Sequence, residues 1–464
     1  MANPRIHQMI NNRGFGMLFE NLHTIKRGAD SQHPYIKTRL FYKVFLVRLE
    51  KLLIFEYFFY ILLLMRKNFM INRPDYIEKL SKFIDVPIIK ILVGIRRSGK
   101  STILEMIQNE LRSRGIDNQY IIGRNYTEVA YSGFTAQEML ADIQKSLTNK
   151  GKYYLFLDEL QEIDGWEKVV NQLMEQGNTD IYVTGSNSKL MSGEISTYLS
   201  GRYVSIPVYT LSFKEYIAFN KGTTLSTQEL LEQYIKLGGF PLIAANKLDE
   251  RTTYQITQDI YNAIVTNDIL RRHRLNKQDL FDRVVRFILD NMGKTFSANA
   301  IVKFLRSEHR KISVETIYNY LKWLEQAFII HKCQRYDVLG KAILKTQEKY
   351  YLGDISLKYG LMGYNATMLP SVIENIVYLE LCRRGYAVHI GKNQTKEIDF
   401  IAQKQNEKLY IQVCVNFPPD STRETDNLLA IEDNYPKYVI TLDKLSVGNI
   451  NGIEIMHLAD FLLK

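Results

Sequence analysis

From residue 70 onward the hydrophobic pattern switches between two periods. Largely apolar runs of strand length, IIKILVG (Ile88 to Gly94) and YYLFLDE (Tyr153 to Glu159, ending in two carboxylates), predict strands buried on both faces. DIYVTGSNS (Asp180 to Ser188) predicts a further strand, as does YVSIPVY (Tyr203 to Tyr209), and a shorter one is expected near YIIG. Between them the period lengthens to that of a helix: Ile103, Leu104, Ile107 and Leu111 share one face, and Gly115 stands where a C-terminal cap belongs. Two more helices are expected, over about 136–147 and 166–174. Strands alternating with helices mean a parallel sheet covered on both faces.

Past about residue 210 the pattern turns helical. SANAIVKFLRSE and SVETIYNYLKWLEQAFII predict two short helices capped by Ser297 and Ser313, the second burying Ile317, Leu321 and Leu324. A two-stranded ribbon carrying Lys341, Lys345 and Lys349 is expected to follow, the order of a winged helix. The outward face of the second helix is expected to offer Glu315, Asn319, Lys322 and Glu325, a mixed charge. Contact with double-stranded DNA and a winged helix used for packing or protein contact therefore both stay open.

With 464 residues, 46% of them hydrophobic and 24% charged, the chain can bury cores for several domains. The divisions expected are 70–222, 223–290, 291–355 and 356–464, after a basic segment 1–69. That segment holds eleven Lys/Arg against four Asp/Glu, so most of the net charge of +10 sits there and argues little for nucleic acid elsewhere. Its apolar run, Leu52 to Leu64, is interrupted by Glu56 and is shorter than the roughly 20 residues a membrane span needs. An upstream extension before a start near Met65 or Met70, a packed or partner-binding helix, and a membrane-surface anchor are the open readings. Cys333, Cys382 and Cys414 are far apart and fit a reducing cytoplasm, with no disulfide framework or zinc spacing.

GIRRSGKST, Gly94 to Thr102, matches G-x-x-x-x-G-K-[ST] between a predicted strand and a predicted helix. Such a loop turns backbone N–H groups and a helix N-terminus onto phosphate oxygens. Gly94, Arg97, Ser98, Gly99, Lys100, Ser101 and Thr102 are the expected ATP-binding set, with Lys100 reaching the outer phosphates and Ser101 ligating Mg²⁺. Asp158 and Glu159 end a buried strand: the first is expected to hold Mg²⁺ and the second to polarise the attacking water. Ser186 or Asn187 is expected to sense the γ-phosphate. Arg202 is placed to neutralise charge in a neighbouring subunit's site, which implies a homo-oligomer.

GIRRSGKST, YYLFLDELQEIDGWEKVV, VTGSNSKLMSGEISTYLSGRY and YTLSFKEY, in that order, resemble the prokaryotic AAA+ superfamily ATPases that join a P-loop domain to a C-terminal domain of unknown function. GGFPLI, YYLGDISLKYGLMG and ENIVYLEL resemble that second domain. The resemblance runs from about residue 70 to the end and implies ATP and Mg²⁺ as ligands, with roles for Lys100, Ser101, Asp158, Glu159, Asn187 and Arg202. Glu374, Asp399 and Gln412 further resemble a restriction-endonuclease-like core, but Cys414 stands where its lysine belongs, so a degenerate nuclease fold kept as scaffold or binding surface is expected. The fold expected is thus α/β: a P-loop NTPase, a helical and winged-helix region, and a small α/β domain. The activity expected is that of a nucleotide-driven switch on a DNA or protein partner. Two rivals stay open: an ATP-binding regulator with negligible turnover, and an ATP-gated nuclease.

Overall fold

The computed structural model describes residues 71–191, 199, 201–273, 278–338, 342–393, 396–417 and 423–464. The basic segment 1–69 and Lys341 lie outside these residues.

Five strands, β1 (Ile89–Val93), β2 (Ile121–Asn125), β3 (Tyr153–Asp158), β4 (Thr179–Gly185) and β5 (Tyr203–Pro207), form a parallel sheet in the order β2-β3-β4-β1-β5. Residues of β1, β3 and β4 are buried along their whole length. Their alternate side chains serve two cores, as a sheet sandwiched between helices requires. Leu92, Tyr154 and Phe156 pack with Ile103, Leu104, Ile107 and Leu111 of α2 (Lys100–Ser113), which follows α1 (Pro74–Ser81). Ile91, Val93, Leu155 and Leu157 pack on the other face with Met139 and Ile143 of α3 (Ala136–Ser146) and Val170 and Leu173 of α4 (Trp166–Glu175).

A run of helices follows: α5 (Phe213–Phe219), α6 (Thr227–Leu237), α7 (Pro241–Asn246) and α8 (Glu250–Ile264), the last continuing into a π turn, Val265–Leu270. Then come α9 (Gln278–Asp290), α10 (Ala298–Ser307) and α11 (Val314–Gln326). The Ser297 and Ser313 hydroxyls accept the N–H groups of Ala300 and Thr316 at 3.3 and 3.1 Å, the caps expected.

The ribbon that follows α11, β6 (Ile330–Asp337) with β7 (Ala342–Leu352), does not project alone. It forms one edge of an eight-stranded sheet, β12-β13-β11-β10-β9-β8-β6-β7, in which β6 runs parallel to β8 (Ala387–Asn393). The other strands are β9 (Lys396–Lys404), β10 (Glu407–Cys414), β11 (Lys437–Thr441), β12 (Gly448–Ile450) and β13 (Ile453–His457). Helices α12 (Ser356–Met362), α13 (Leu369–Arg383), α14 (Arg423–Leu429) and α15 (Leu458–Leu463) complete the chain. Lys349, expected on an exposed wing, is 3% exposed, because its strand belongs to a covered sheet and its ammonium meets carboxylates there. Glu325 is corrected likewise: it is half-buried beside the ribbon, and desolvation raises its pKa to about 6.

One hydrophobic core contains Ile91 of the first sheet, Leu231 and Phe281 of the helices, and Ile376, Phe400 and Ile411 of the last region. The GGFP and GDIS motifs meet in a polar knot inside it. Buried Asp354 accepts the N–H groups of Gly239 and Ser356, both at 2.9 Å. A Cβ on Gly238 would lie 2.2 Å from the Asp354 carboxylate, and one on Gly353 2.2 Å from the Phe328 carbonyl. Those glycines allow the helical region and the end of β7 to approach so closely.

Candidate functional site

The C-terminal edge of the first sheet carries the site. β1 ends into the loop Gly94–Gly99 and α2 begins at Lys100, so the loop's residues curl across the strand end. Arg97 and Gly99 hold φ of 69° and 97°, the left-handed turns that close the loop. A Cβ on Gly94 would meet the Val208 carbonyl at 2.1 Å, so only glycine lets the chain pass there. The Ser98 hydroxyl is buried without a hydrogen-bond partner, an unsatisfied donor within a loop of this shape. Ser101 and Thr102, in the first turn of α2, are exposed.

Lys100 is 3% exposed, and its ammonium donates to the carbonyls of Gly94 and Ile95 at 3.0 and 3.2 Å. Glu159 lies 3.8 Å away. Burial lowers the Lys100 pKa, opposed by the carboxylates of Glu159, Asp158 and Asp268. At the end of β3, Asp158 accepts hydrogen bonds from the Thr184 and Ser101 hydroxyls, yet burial dominates and raises its pKa. A carboxylate beside the Ser101 hydroxyl places two hard oxygen donors together, the ligand chemistry of a divalent cation such as Mg²⁺.

Glu159 adopts φ 52°, and its N–H is held by the Thr184 hydroxyl at 2.9 Å. Burial would raise its pKa, but Lys100, Gln161, Arg96 and Ser186 outweigh it and keep the group ionised. Gln161 donates to Glu159 and, at 3.3 Å, to the Ser186 hydroxyl. A Cβ on Gly185 would lie 2.5 Å from the Gln161 carbonyl oxygen, so this glycine makes room for the bridge. Asn187, 1% exposed, follows Ser186 at the end of β4. The structure thus gathers Lys100, Ser101, Asp158, Glu159, Ser186 and Asn187 at one sheet edge.

Arg202 is elsewhere. It is exposed immediately before β5, whose first residue pairs with Ile89 at the start of β1, so it stands at the opposite edge of the sheet. It cannot reach the phosphate loop of its own chain.

Several residues carried no signal in the pattern. Arg73 is 2% exposed and binds Glu215 through Nε and Nη2 at 2.7 and 3.0 Å, while Nη1 donates to the Ser98 carbonyl at 2.9 Å. It braces the loop from behind. Arg96, a variable position of the motif, makes two 3.2 Å bonds to Asp268 in the π turn. Asp268 also accepts from the Ser186 hydroxyl at 3.0 Å. Nothing in a helical run marks an aspartate as the partner of a loop 172 residues away.

The nuclease-like residues also converge, in a way the sequence did not anticipate. Glu374 of α13 and Asp399 of β9 lie 2.9 and 3.8 Å from one ammonium, that of Lys349, and Glu397 lies 2.8 Å from it. Gln412 accepts the N–H of Asp399 at 3.3 Å. The ammonium among these carboxylates thus comes from β7, not from the strand that carries Cys414. Among the described residues no three His, Cys, Asp or Glu side chains are arranged to hold a metal ion, and no helix is long and apolar enough to cross a membrane.

An AAA domain family matches residues 87–217, and a domain of unknown function (DUF8612) matches residues 228–367. A Haemophilus influenzae protein described only as uncharacterized is 40% identical over 85% of this chain and 99% of its own length. An uncharacterized Methanocaldococcus jannaschii protein is 31% identical over 78% of this chain and 80% of its own. Among solved structures, a Walker-type ATPase of Pyrococcus abyssi is 16% identical and covers 63% of this chain and 95% of its own, with a TM-score of 0.46.

Proposed function

We propose that this chain, which belongs to the same family of AAA-domain proteins as the Haemophilus influenzae relative, is a Mg²⁺-dependent ATPase that works as a nucleotide-driven switch. The observation that carries the reading is the convergence of Lys100, the Ser101–Asp158 pair and ionised Glu159 on one glycine-shaped loop. Gly94, Arg97, Ser98, Gly99, Lys100, Ser101 and Thr102 hold the phosphates. Bound Mg²⁺, held by Ser101 and Asp158, supplies neutralisation of phosphate charge. Lys100 leaves its two loop carbonyls for the outer phosphates. Glu159 takes the proton of the attacking water, and Asn187 or Ser186 orients the γ-phosphate end. In this reading Arg202 completes a neighbouring subunit's site in a homo-oligomer, since its own lies at the far sheet edge.

The α10–α11 pair serves as the helical part of a winged helix, with double-stranded DNA as its partner, while the ribbon that would be its wing is built into the eight-stranded sheet. Support comes from a stretch the charge count did not single out: Lys303, Arg306, His309, Arg310 and Lys311 are all exposed around the α10–α11 turn. The β8–β13 region serves as a degenerate nuclease fold, a scaffold without cleavage, because Lys349 fills the place of a cation between the carboxylates.

ATP hydrolysis by the wild type and Lys100→Ala, with and without duplex DNA at fixed salt, tests this. Turnover that vanishes in Lys100→Ala and rises with DNA is the expected result. A rise that survives Lys303→Ala/Arg306→Ala/Lys311→Ala would remove the DNA surface, and ATP binding without turnover would favour the regulator. Mixing Arg202→Ala with Lys100→Ala protein is expected to restore part of the activity each lacks alone, because intact loop and intact arginine then meet across one interface. No restoration in the mixture rules out the shared site.

A further inference from the structure

The π turn that interrupts the chain after α8 is a rare conformation, and such turns recur at functional positions. Here it carries Asp268, whose side chain is 1% exposed and accepts from two elements of the phosphate site at once: Arg96 of the loop and Ser186 at the end of β4. The Ser186 hydroxyl lies 3.0 Å from the Asp268 carboxylate, within donating distance. Its oxygen in turn accepts from Gln161, which also donates to Glu159. An unbroken hydrogen-bonded line therefore joins the base of the proposed reaction to a helical element outside the sheet.

Five residues beyond Asp268, the His273 ring stacks on Trp323 of α11, with centroids 4.3 Å apart and planes inclined by 9°. The same helix packs against the Ser188–Met191 turn, which begins two residues after Ser186. Two short paths thus leave the phosphate site and end on one helix, whose outward side presents Glu315, Tyr318, Asn319 and Lys322.

We infer that Asp268 is the positioning residue through which occupancy of the phosphate site is relayed to α11. The inference rests on the reading of Gly94–Thr102 as an ATP site. Phosphate oxygens offer Arg96 and Ser186 an anionic acceptor that competes with the Asp268 carboxylate. The two states therefore differ in a definite interaction, which is what a linkage between sites needs. When Asp268 loses those donors, the π turn, and through His273 the Trp323 stack, repacks.

The chain holds two tryptophans, so Trp166→Phe leaves Trp323 as the sole indole. ATP added to this protein is expected to change Trp323 emission, with binding followed independently by calorimetry. Asp268→Asn and Asp268→Ala in that background are expected to bind ATP and to lose the change. Binding with an undiminished change in both variants overturns the relay, as does binding without any change in the parent. No binding in the parent, matching Lys100→Ala, overturns the reading of the loop and the relay with it. As a second measure, Asp268→Asn is expected to lower kcat about ten-fold or more at unaltered KM, through misalignment of Glu159. KM rising while kcat stays fixed contradicts the positioning role.

Discussion

Glu159→Gln is expected to retain ATP binding while losing about 10²- to 10⁴-fold in turnover, the usual contribution of a positioned base. The substitution keeps the side chain's length and lets it accept from Gln161, so the Gln161–Ser186 bridge can persist. The group loses its ability to take a proton. Its backbone conformation is held independently of the carboxylate, through the Thr184 hydroxyl on its N–H at 2.9 Å, so the loop should not reorganise. Lys100 retains its bonds to the Gly94 and Ile95 carbonyls and the attraction of Asp158. Phosphate release and calorimetric affinity, measured on one preparation, separate the outcomes. Turnover within a few-fold of wild type would remove Glu159 from the role of base. Loss of affinity together with turnover would make it a counter-charge for Lys100 instead.

What the pattern reveals about this protein depends on how local the physics is. The phosphate loop was readable because glycine freedom, a helix start and a lysine must follow one another along the chain. The acidic pair was readable because a parallel-sheet strand buried on both faces is a run of apolar residues that ends abruptly in carboxylates. Asp268, Arg73 and Thr184 act across long separations, and each is an ordinary residue in its own segment. Lys349 shows the limit from the other side. Read locally, a lysine on an amphipathic ribbon belongs to a wing, and only the parallel pairing of β6 with β8 carries it into a sheet interior. Likewise the expected division between 291–355 and 356–464 separates strands that share one sheet.

Lys349→Met is expected to cost about 3–5 kcal/mol at pH 7.5, the scale for breaking a buried ion pair by removing one partner, against a total stability of roughly 5–15 kcal/mol. The methionine fills nearly the same volume, so the loss is electrostatic: Glu374 and Asp399, each with side chains 13% exposed, are left with Glu397 and no cation. The pH dependence identifies the cause. Burial and the Glu374 charge raise the Asp399 pKa, and Lys349 opposes them. Without the ammonium the folded-state value moves higher still, above the unfolded value near 3.9. A carboxyl of that kind binds its proton more readily in the folded chain, so its contribution is full at low pH and is lost as pH rises through the folded pKa. Urea unfolding at pH 5 and 7.5 is therefore expected to show the variant's deficit shrinking on acidification, with Lys349→Arg close to wild type at both. A deficit independent of pH would mean packing rather than charge. The same cluster decides the nuclease question, since a metal ion could act there only by displacing the ammonium. Metal-dependent DNA cleavage by the wild type that disappears with Asp399→Ala would show that Lys349 yields its place, and the scaffold reading would then fail.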